Sequence, residues 1–218
     1  MLCILFGGNM SVAIILQSTT HKNVEAYNMV ICADGAGNNM NCDVVIGDMD
    51  SNIHFKEATI VTNTNEYGGS TRIHNGIKLI ENPCQNTTDF QKCLNFIKDK
   101  HYTIVHVYGG LSGRLDHTLN VLHTLHRYTL PGTVIVYDKG NTIHVLTSGH
   151  HCFAFTDFEE LSLGLYSLEP VCVVTTGLEW NIDGIVSISD FISTSNKCKS
   201  DFTITCKSKV FLTASIVN

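Results

Sequence analysis

Short apolar runs that end in aspartate or glycine constrain the fold of this chain more than any other feature. Four such runs occur in the first part of the sequence: "MVICAD" (29–34), "DVVIGD" (43–48), "TIVHVYGG" (103–110) and "TVIVYD" (133–138). Runs that are apolar on both faces are typical of parallel strands covered by helices on both sides. Apolar residues at helical spacing predict such helices over 88–101 and 115–128. This part is therefore predicted to be an α/β domain, with a parallel-type sheet flanked by helices.

The pattern changes after residue 139. Helical periodicity ends, and strand-length segments from "TIHVL" to "KVFLTASIV" alternate with Gly, Asn, Asp and Pro. Many short strands of this kind predict a small all-β, sandwich-like domain. With 218 residues, 44% of them hydrophobic, the chain is long enough to form a real core. We therefore expect two domains, residues 1–138 and residues 139–218.

Charge and cysteine usage narrow the class of partner. The net charge is −6 and the 14 Lys and Arg residues are scattered, which argues against nucleic acid and favours small molecules. The nine cysteines include no C-x-x-C pair, so they are expected to be reduced thiols. "MLCILFGG" lacks the basic start of a signal peptide, and "SVAIILQ" is too short to span a bilayer. The sequence thus predicts a cytoplasmic protein without a membrane anchor.

Charged side chains follow three of the predicted strands. Asp34 directly follows "VICA". Asp48 directly follows "VVIG", and Asp50 lies two residues further on. Arg114 and Asp116 come shortly after "VHVYGG". In parallel sheets the ligand crevice lies at the carboxyl ends of strands, and Mg²⁺ prefers carboxylate and phosphate oxygens. A single aspartate at such a place often only caps the next helix. Several together predict a magnesium-nucleotide site, and the residues alone take the prediction no further.

Six motifs, in this order, make the functional prediction more specific: "ADGAGN" (33–38), "DVVIGDMDS" (43–51), "TTDFQKCL" (87–94), "YGGLSGRLDHTL" (108–119), "TTGLEWNI" (175–182) and "STSN" (193–196). Together they resemble the thiamine pyrophosphokinase family. The resemblance implies an α/β catalytic domain followed by a thiamine-binding β domain, in a homodimer whose site is shared between subunits. It implies transfer of a pyrophosphoryl group from ATP to the hydroxyethyl oxygen of thiamine, giving thiamine diphosphate and AMP.

The same resemblance implies roles for residues on the ATP side. Asp48, Asp50 and Asp89 are the expected Mg²⁺ ligands. The expected contacts to the phosphates of ATP are Asp34, Ser51, Thr88 and Arg114. Asp116 would complete the acidic edge and would act in catalysis together with Arg114 and the metal ligands. One aspartate near the alcohol, for example Asp89, would accept its proton, and the sequence does not choose among them.

On the thiamine side, the resemblance makes Trp180 the stacking residue. Thiamine has a flat pyrimidine and a cationic thiazolium, and an indole attracts both. The other expected thiamine contacts are Gln85, Asp89, Ser195 and Asn196. As the only tryptophan of the chain, Trp180 would ordinarily lie in a core or an interface, and an interfacial site would satisfy both readings.

The chain departs from the family pattern at three places. "ADGAGN" stands where the family has Ala-Asp-Gly-Gly-Ala-Asn, Asn86 replaces a usual aspartate, and Glu179 replaces a common lysine. Asn86 keeps an oxygen ligand but loses a charge. Two other functions therefore stay open: a different metal-dependent nucleotide enzyme such as a hydrolase, and a thiamine binder without turnover.

Overall fold

The computed structural model describes residues 10–17, 26–38, 41–130 and 132–216. The first nine residues, with Cys3, lie outside the described part of the chain. The described chain divides into two compact units. Of the described residues, those within 10–124 and 128–132 form the N-terminal unit, and those within 125–127 and 133–216 form the C-terminal unit.

The sheet of the N-terminal unit is mostly parallel. Its strands are β1 (Ser11–Ile15), β2 (Met29–Ala33), β3 (Val44–Gly47), β4 (Thr59–Thr62), β5 (Thr71–His74), β6 (Ile77–Glu81) and β7 (Ile104–Tyr108). They lie in the order β7-β1-β2-β3-β6-β5-β4. The pairs among β7, β1, β2, β3 and β6 are parallel, whereas β5 pairs antiparallel with both β6 and β4. The parallel strands therefore end at one common edge, where loops can converge.

Burial explains why the central strands read as continuous apolar runs. Val12–Ile15 on β1 and Val44–Ile46 on β3 are almost completely buried. Three helices belong to this region: α1 (Ile53–Glu57), α2 (Asp89–Ile97) and α3 (Leu115–Arg127). In α2, Phe90, Cys93, Leu94 and Ile97 form the buried face. This spacing places one apolar stripe toward the core.

The C-terminal unit is built from antiparallel strands. They are β8 (Thr133–Asp138), β9 (Asn141–Leu146), β10 (Gly149–Phe153), β11 (Leu161–Tyr166), β12 (Val171–Leu178), β13 (Asp183–Val186), β14 (Ser193–Asn196), β15 (Cys198–Cys206) and β16 (Val210–Ile216). One group has the order β14-β11-β16-β9-β8, and the other has the order β10-β15-β12-β13. Along β12, buried and exposed residues alternate. The core draws Leu163 and Leu212 from the first group and Phe202 and Ile204 from the second, so the two groups pack face to face.

These features confirm the predicted fold class, an α/β part with a parallel sheet followed by a small antiparallel β part. Both predicted helices are present but are shorter than predicted: they span 89–97 instead of 88–101, and 115–127 instead of 115–128. β8 differs from expectation, because "TVIVYD" pairs antiparallel with β9 and is grouped with the C-terminal unit. Sequence reasoning also missed β1, β4, β5, β6 and the short helix α1. In the described part of the chain, no helix is long and apolar enough to cross a membrane.

Candidate active site

Three carboxylates meet at the carboxyl ends of β2 and β3. Asp34 begins a 3-10 helix directly after β2, while Asp48 and Asp50 follow β3. One oxygen of each of the three lies within 4.8 Å of the others. The structure thus brings together, from two neighbouring strands, the aspartates that the sequence placed at strand ends.

Asp34 is the buried member of this acidic cluster, which we define as Asp34, Asp48 and Asp50. Its side chain is 1% exposed, and its Oδ2 accepts a hydrogen bond of 3.0 Å from the backbone N–H of Ser51. Its Oδ1 is buried and has no hydrogen-bond partner. Burial raises the pKa of Asp34 to about 6, and the negative charges of Asp89 and Asp48 add to this rise. A buried acceptor without a partner is costly, and a bound cation would satisfy it.

The loop between Asp48 and Asp50 has an unusual backbone. Met49, which is buried, has a φ of 63°, a left-handed conformation that non-glycine residues rarely adopt. Such conformations persist only where the surroundings enforce them, and they cluster at functional sites. Gln85 fixes one side of the loop, because its Nε2 donates to Asp48 Oδ2 at 3.0 Å. This hydrogen bond lowers the pKa of Asp48, which is therefore held ionised.

Gly47, the last residue of β3, lies between Asp34 and Asp89. A Cβ added at Gly47 would come within 2.5 Å of Asp34 Cβ and 3.2 Å of Asp89 Oδ1. Only glycine therefore lets these two carboxylates approach across the end of the strand. Asp89 Oδ1 is 3.1 Å from Nζ of Lys92, a lysine that is almost fully buried. Burial raises the pKa of Asp89, although the Lys92 ammonium opposes the shift.

A cavity of about 590 Å³ adjoins the acidic cluster. It is lined by Leu16, Gln17, Ala33, Gly35, Ala36, Thr88, Asp89, Phe90, Gly110, Asp116, His117, Asn120 and Val121. These residues come from the carboxyl ends of strands, the start of α2 and the first two turns of α3. The volume suits a small organic molecule, and the mixture of apolar walls with a few polar groups is typical of ligand sites. Helix N-termini favour anions, so phosphate groups suit this end of the cavity.

Thr88 has a clear structural role at the cavity rim. It caps α2 in a capping box with Gln91, and its Oγ1 also donates to Asn120 Oδ1 at 3.1 Å. The cap uses the backbone N–H of Gln91 and not those of Asp89 and Phe90, which line the cavity. Ser51 lies beside the acidic cluster, where its Oγ donates to Asp50 Oδ1 at 2.8 Å. Both hydroxyls predicted from the sequence are therefore at the site, and both already have partners.

Arg114 and Asp116 bind each other. Arg114 Nε lies 3.1 Å from Asp116 Oδ1, and its Nη2 lies 2.5 Å from Oδ2. Both side chains are exposed, and the hydrogen bond from Arg114 lowers the pKa of Asp116. Asp116 also lines the cavity at the start of α3. The bidentate pair thus occupies the donors with which Arg114 would bind a phosphate.

In the C-terminal unit, Trp180 lies on a loop that Asn196 holds. The Trp180 side chain is 59% exposed, whereas Asn196 is fully buried. Asn196 Oδ1 accepts from the backbone N–H of Trp180 at 3.2 Å, and Asn196 Nδ2 donates to the Trp180 carbonyl at 2.8 Å. Ser195 is exposed, with a left-handed φ of 56°. Asn196 is therefore a support for the Trp180 loop rather than a residue open to ligand.

Other residues of the site were missed by sequence reasoning. Lys92 lies on the apolar face of α2, where a lysine is read as a solvated charge. The cavity is lined from α2 by Phe90 and from α3 by His117 and Asn120. A helix that begins at a strand end directs its first turn toward the ligand crevice, and this rule could have found them. The metal ligands predicted from the sequence included Asp89, but the acidic cluster contains Asp34 instead, and Asp89 is paired with Lys92.

The fold and this acidic edge define the chain as an α/β protein with a candidate metal-phosphate site. Its fold is similar to that of the solved thiamin pyrophosphokinase from Candida albicans, with a TM-score of 0.75 and 17% identity. That match covers 95% of this chain and 90% of the other. At this identity the likeness establishes the fold alone.

Sequence relatives identify the family. Residues 20–137 match the model of the thiamin pyrophosphokinase catalytic domain, and residues 150–211 match that of the vitamin B1 binding domain. The chain is 30% identical to thiamine pyrophosphokinase 1 of Oryza sativa subsp. japonica over 189 residues, 81% of this chain and 67% of the relative. It is 31% identical to thiamine pyrophosphokinase 1 of Arabidopsis thaliana over 160 residues, 66% of this chain and 58% of the relative.

The chain belongs to the thiamin pyrophosphokinase family. This confirms the family, and with it the class of enzyme, predicted from the six motifs. The chain spans between 57% and 67% of the length of the four curated relatives that it matches. The reaction of this chain and the roles of its residues are therefore proposals.

Proposed function

We propose that this protein transfers a pyrophosphoryl group from ATP to the hydroxyethyl oxygen of thiamine, releasing AMP. The observation that carries the proposal is the acidic cluster beside a cavity that is lined by Ala33 and Gly35, the chain neighbours of Asp34, in a chain that matches both family models. The reaction joins an alcohol to the β-phosphorus of a polyanion. Positioning and neutralisation of charge must then supply most of the catalysis.

In this proposal ATP lies in the cavity with its base against the apolar walls and its phosphates toward the helix N-termini. Apolar walls from Leu16, Ala33 and Val121 suit the base, while the first turns of α2 and α3 direct N–H groups toward phosphate. Asp89 and Asp116 also line the cavity, so a bare polyphosphate would be repelled there. Arg114 would have to exchange Asp116 for a phosphate oxygen, a change that its exposed position allows.

The residues present fit a divalent cation. Asp34, Asp48 and Asp50 offer converging carboxylate oxygens, and the unpartnered Asp34 Oδ1 points to a missing cation partner. Asp89 would complete the metal ligands predicted from the sequence if it exchanged its ion-pair partner, Lys92, for the metal ion. When bound, Mg²⁺ would neutralise the phosphates of ATP and polarise the P–O bonds. Gln85 holds Asp48 in place and ionised, which makes it a positioning residue here, beside its predicted contact to the pyrimidine.

The alcohol of thiamine needs an acceptor for its proton. Asp89 is suited to this role, because burial raises its pKa while the neighbouring Lys92 ammonium stabilises the carboxylate that accepts the proton. Trp180 would stack on thiamine, with the exposed Ser195 beside it and Asn196 holding the loop. The exposure of the indole supports this, because a packing residue would be buried.

We also retain the sequence-based predictions on domain division, assembly and location. The catalytic part would end near residue 138, with residues 139–218 binding thiamine. The protein would act as a homodimer in the cytoplasm, with the site shared between subunits. In support of a dimer, the C-terminal unit exposes Val174 and Ile185 on the adjacent strands β12 and β13, and Phe191 lies further along the same unit.

Labelled ATP tests the reaction. The protein is incubated with thiamine, Mg²⁺ and ATP labelled at the α- or γ-phosphate. Label from the γ-phosphate should appear in thiamine diphosphate, and label from the α-phosphate should appear in AMP, in equal amounts. Formation of ADP and inorganic phosphate would instead indicate a hydrolase. Thiamine binding without any product would indicate a binder without turnover.

A further inference from the structure

A second group of metal-binding side chains lies apart from the acidic cluster. His54 and Glu57 are on α1, and His74 ends β5. One ligand atom from each of the three lies within 4.8 Å of the other two. The histidine rings are stacked, with centroids 4.9 Å apart and an angle of 23° between their planes. None of these residues belongs to the motifs that define the pyrophosphokinase site.

The chemistry of this set differs from that of the acidic cluster. Three carboxylates suit a hard ion such as Mg²⁺, whereas imidazole nitrogens suit Zn²⁺ and its neighbours in the transition series. Two neutral imidazoles and one carboxylate form a common three-ligand set, in which water takes the remaining position. Both histidines are half-buried and Glu57 is exposed, so an ion could enter from solvent and keep a water ligand.

The two histidines are held by separate rigid features. His74 directly precedes Asn75 and Gly76, whose φ values of 49° and 84° form the tight turn between β5 and β6. The side-chain amide of Asn75 lies 3.1 Å from Nε2 of His74, and with its oxygen turned to this position it would accept the Nε2–H and leave Nδ1 for a metal. His54 lies in the first turn of α1, which Asn52 caps by accepting from the His54 N–H at 3.0 Å. The hairpin turn therefore fixes the position of His74, and the helix cap fixes the backbone at His54.

Helix α1 needs an anchor of this type. It has five residues, none of them buried, so it cannot be held by an apolar face. Arg72 on β5 supplies one tie, because its Nη1 donates to the Phe55 carbonyl at 3.0 Å and its guanidinium lies over the Phe55 ring. A metal bound by His54, Glu57 and His74 would add a second tie between α1 and β5.

We propose that His54, Glu57 and His74 form a site for a divalent transition ion of the Zn²⁺ type, which fastens α1 to the hairpin of β5 and β6. Because α1 starts directly after Asp50, Ser51 and Asn52, the ion would also stiffen the loop that carries the acidic cluster. The ion is structural in this proposal and takes no part in phosphoryl transfer.

Zinc binding to the full-length chain tests the site. Protein stripped with a chelator is titrated with Zn²⁺ against a competing metal indicator, and the melting temperature is followed in parallel. We expect one tight equivalent and a higher melting temperature. His54→Gln, Glu57→Gln and His74→Gln should each weaken that equivalent at least tenfold, because even the loss of an outer partner costs about 10- to 100-fold.

Matched controls separate this site from other metal-binding groups. His101→Gln removes an exposed histidine outside the site and should leave zinc binding unchanged. The Asp48→Asn, Asp50→Asn double variant should also retain the zinc equivalent, whatever its effect on ATP turnover. Cys84 and Cys152 are exposed and are alternative metal ligands. Co²⁺ bound at the proposed site should lack the near-ultraviolet band of a cobalt thiolate, because none of the three proposed ligands is a cysteine. No tight equivalent, or one that survives all three ligand variants, would overturn the proposal.

Discussion

The two candidate substrate sites of this protein are built in opposite ways. At the acidic cluster, like charges lie close together, one carboxylate is buried, and one buried oxygen has no partner. At the Trp180 loop, a neutral and fully buried Asn196 binds both backbone groups of the tryptophan, whose ring stays exposed. The close carboxylates of the first site are unfavourable without a cation, whereas the backbone at Trp180 is already held in place.

The largest expected effect is on the first site. Asp48→Asn keeps the shape of the side chain but removes one charge from the acidic cluster. Loss of one group that stabilises a transition state typically lowers kcat about 100- to 1,000-fold. We expect a loss of this size in the formation of thiamine diphosphate, measured by product analysis, with binding of thiamine retained. Unchanged turnover would show that Asp48 does not serve the reaction.

The second prediction concerns stability against pH. Asp34 has a folded pKa of about 6, above its ordinary 3.8, so the folded state binds its proton more tightly than the unfolded state does. Stability from this group is therefore present below about pH 4 and is lost as the pH rises to 6. Asp34→Asn removes this loss and should stabilise the metal-free protein by about 2 to 3 kcal/mol at pH 8.

Urea unfolding of the wild type and Asp34→Asn between pH 4 and pH 8 measures this difference. The gap should shrink as the pH falls below 6. Saturating Mg²⁺ with a nucleotide should stabilise the wild type and not the variant. A constant gap across the pH range would mean that the charge of Asp34 is not what opposes folding.

A third, smaller effect is expected at Gly47. A methyl group there would come within 2.5 Å of Asp34 Cβ, so Gly47→Ala should destabilise the protein by about 1 to 3 kcal/mol through overpacking. It should also lower turnover by displacing Asp34 or Asp89. Gly184→Ala in β13 is the matched control, because an added Cβ would meet nothing within 4 Å. Equal melting temperatures for the two variants would contradict the predicted clash.

The smallest effect is expected at the Trp180 loop. Trp180→Ala should raise KM for thiamine about 2- to 30-fold, since cation–π contacts are worth roughly 0.5 to 2 kcal/mol. Its melting temperature should change little, because the indole is exposed and Asn196 binds only the backbone of Trp180. Steady-state kinetics with varied thiamine gives the KM. An unchanged KM would remove Trp180 from the thiamine site.

The sequence predicted the parts of the molecule that depend on local pattern. Buried runs such as "MVICA" and "VVIG" became strands, and the aspartates after them came together because parallel strands end at one edge. Partners distant in sequence were not predictable. The apolar pattern of β8 fits either pairing direction. The i, i+3 spacing of Asp89 and Lys92 allows their ion pair to be predicted, but the burial of Lys92 depends on the tertiary fold. Met49 reads as an ordinary residue until its backbone is seen.

The central claim is that the acidic cluster binds the metal ion that serves ATP. Electron paramagnetic resonance of Mn²⁺, a carboxylate-binding substitute for Mg²⁺, tests this most directly. Free Mn²⁺ is titrated with the protein and with ATP whose α,β bridge is a methylene group, in the wild type, Asp48→Asn and Glu57→Gln. We predict tight, nucleotide-dependent Mn²⁺ binding in the wild type and Glu57→Gln, weakened at least tenfold in Asp48→Asn. Equal binding in all three proteins would contradict the account.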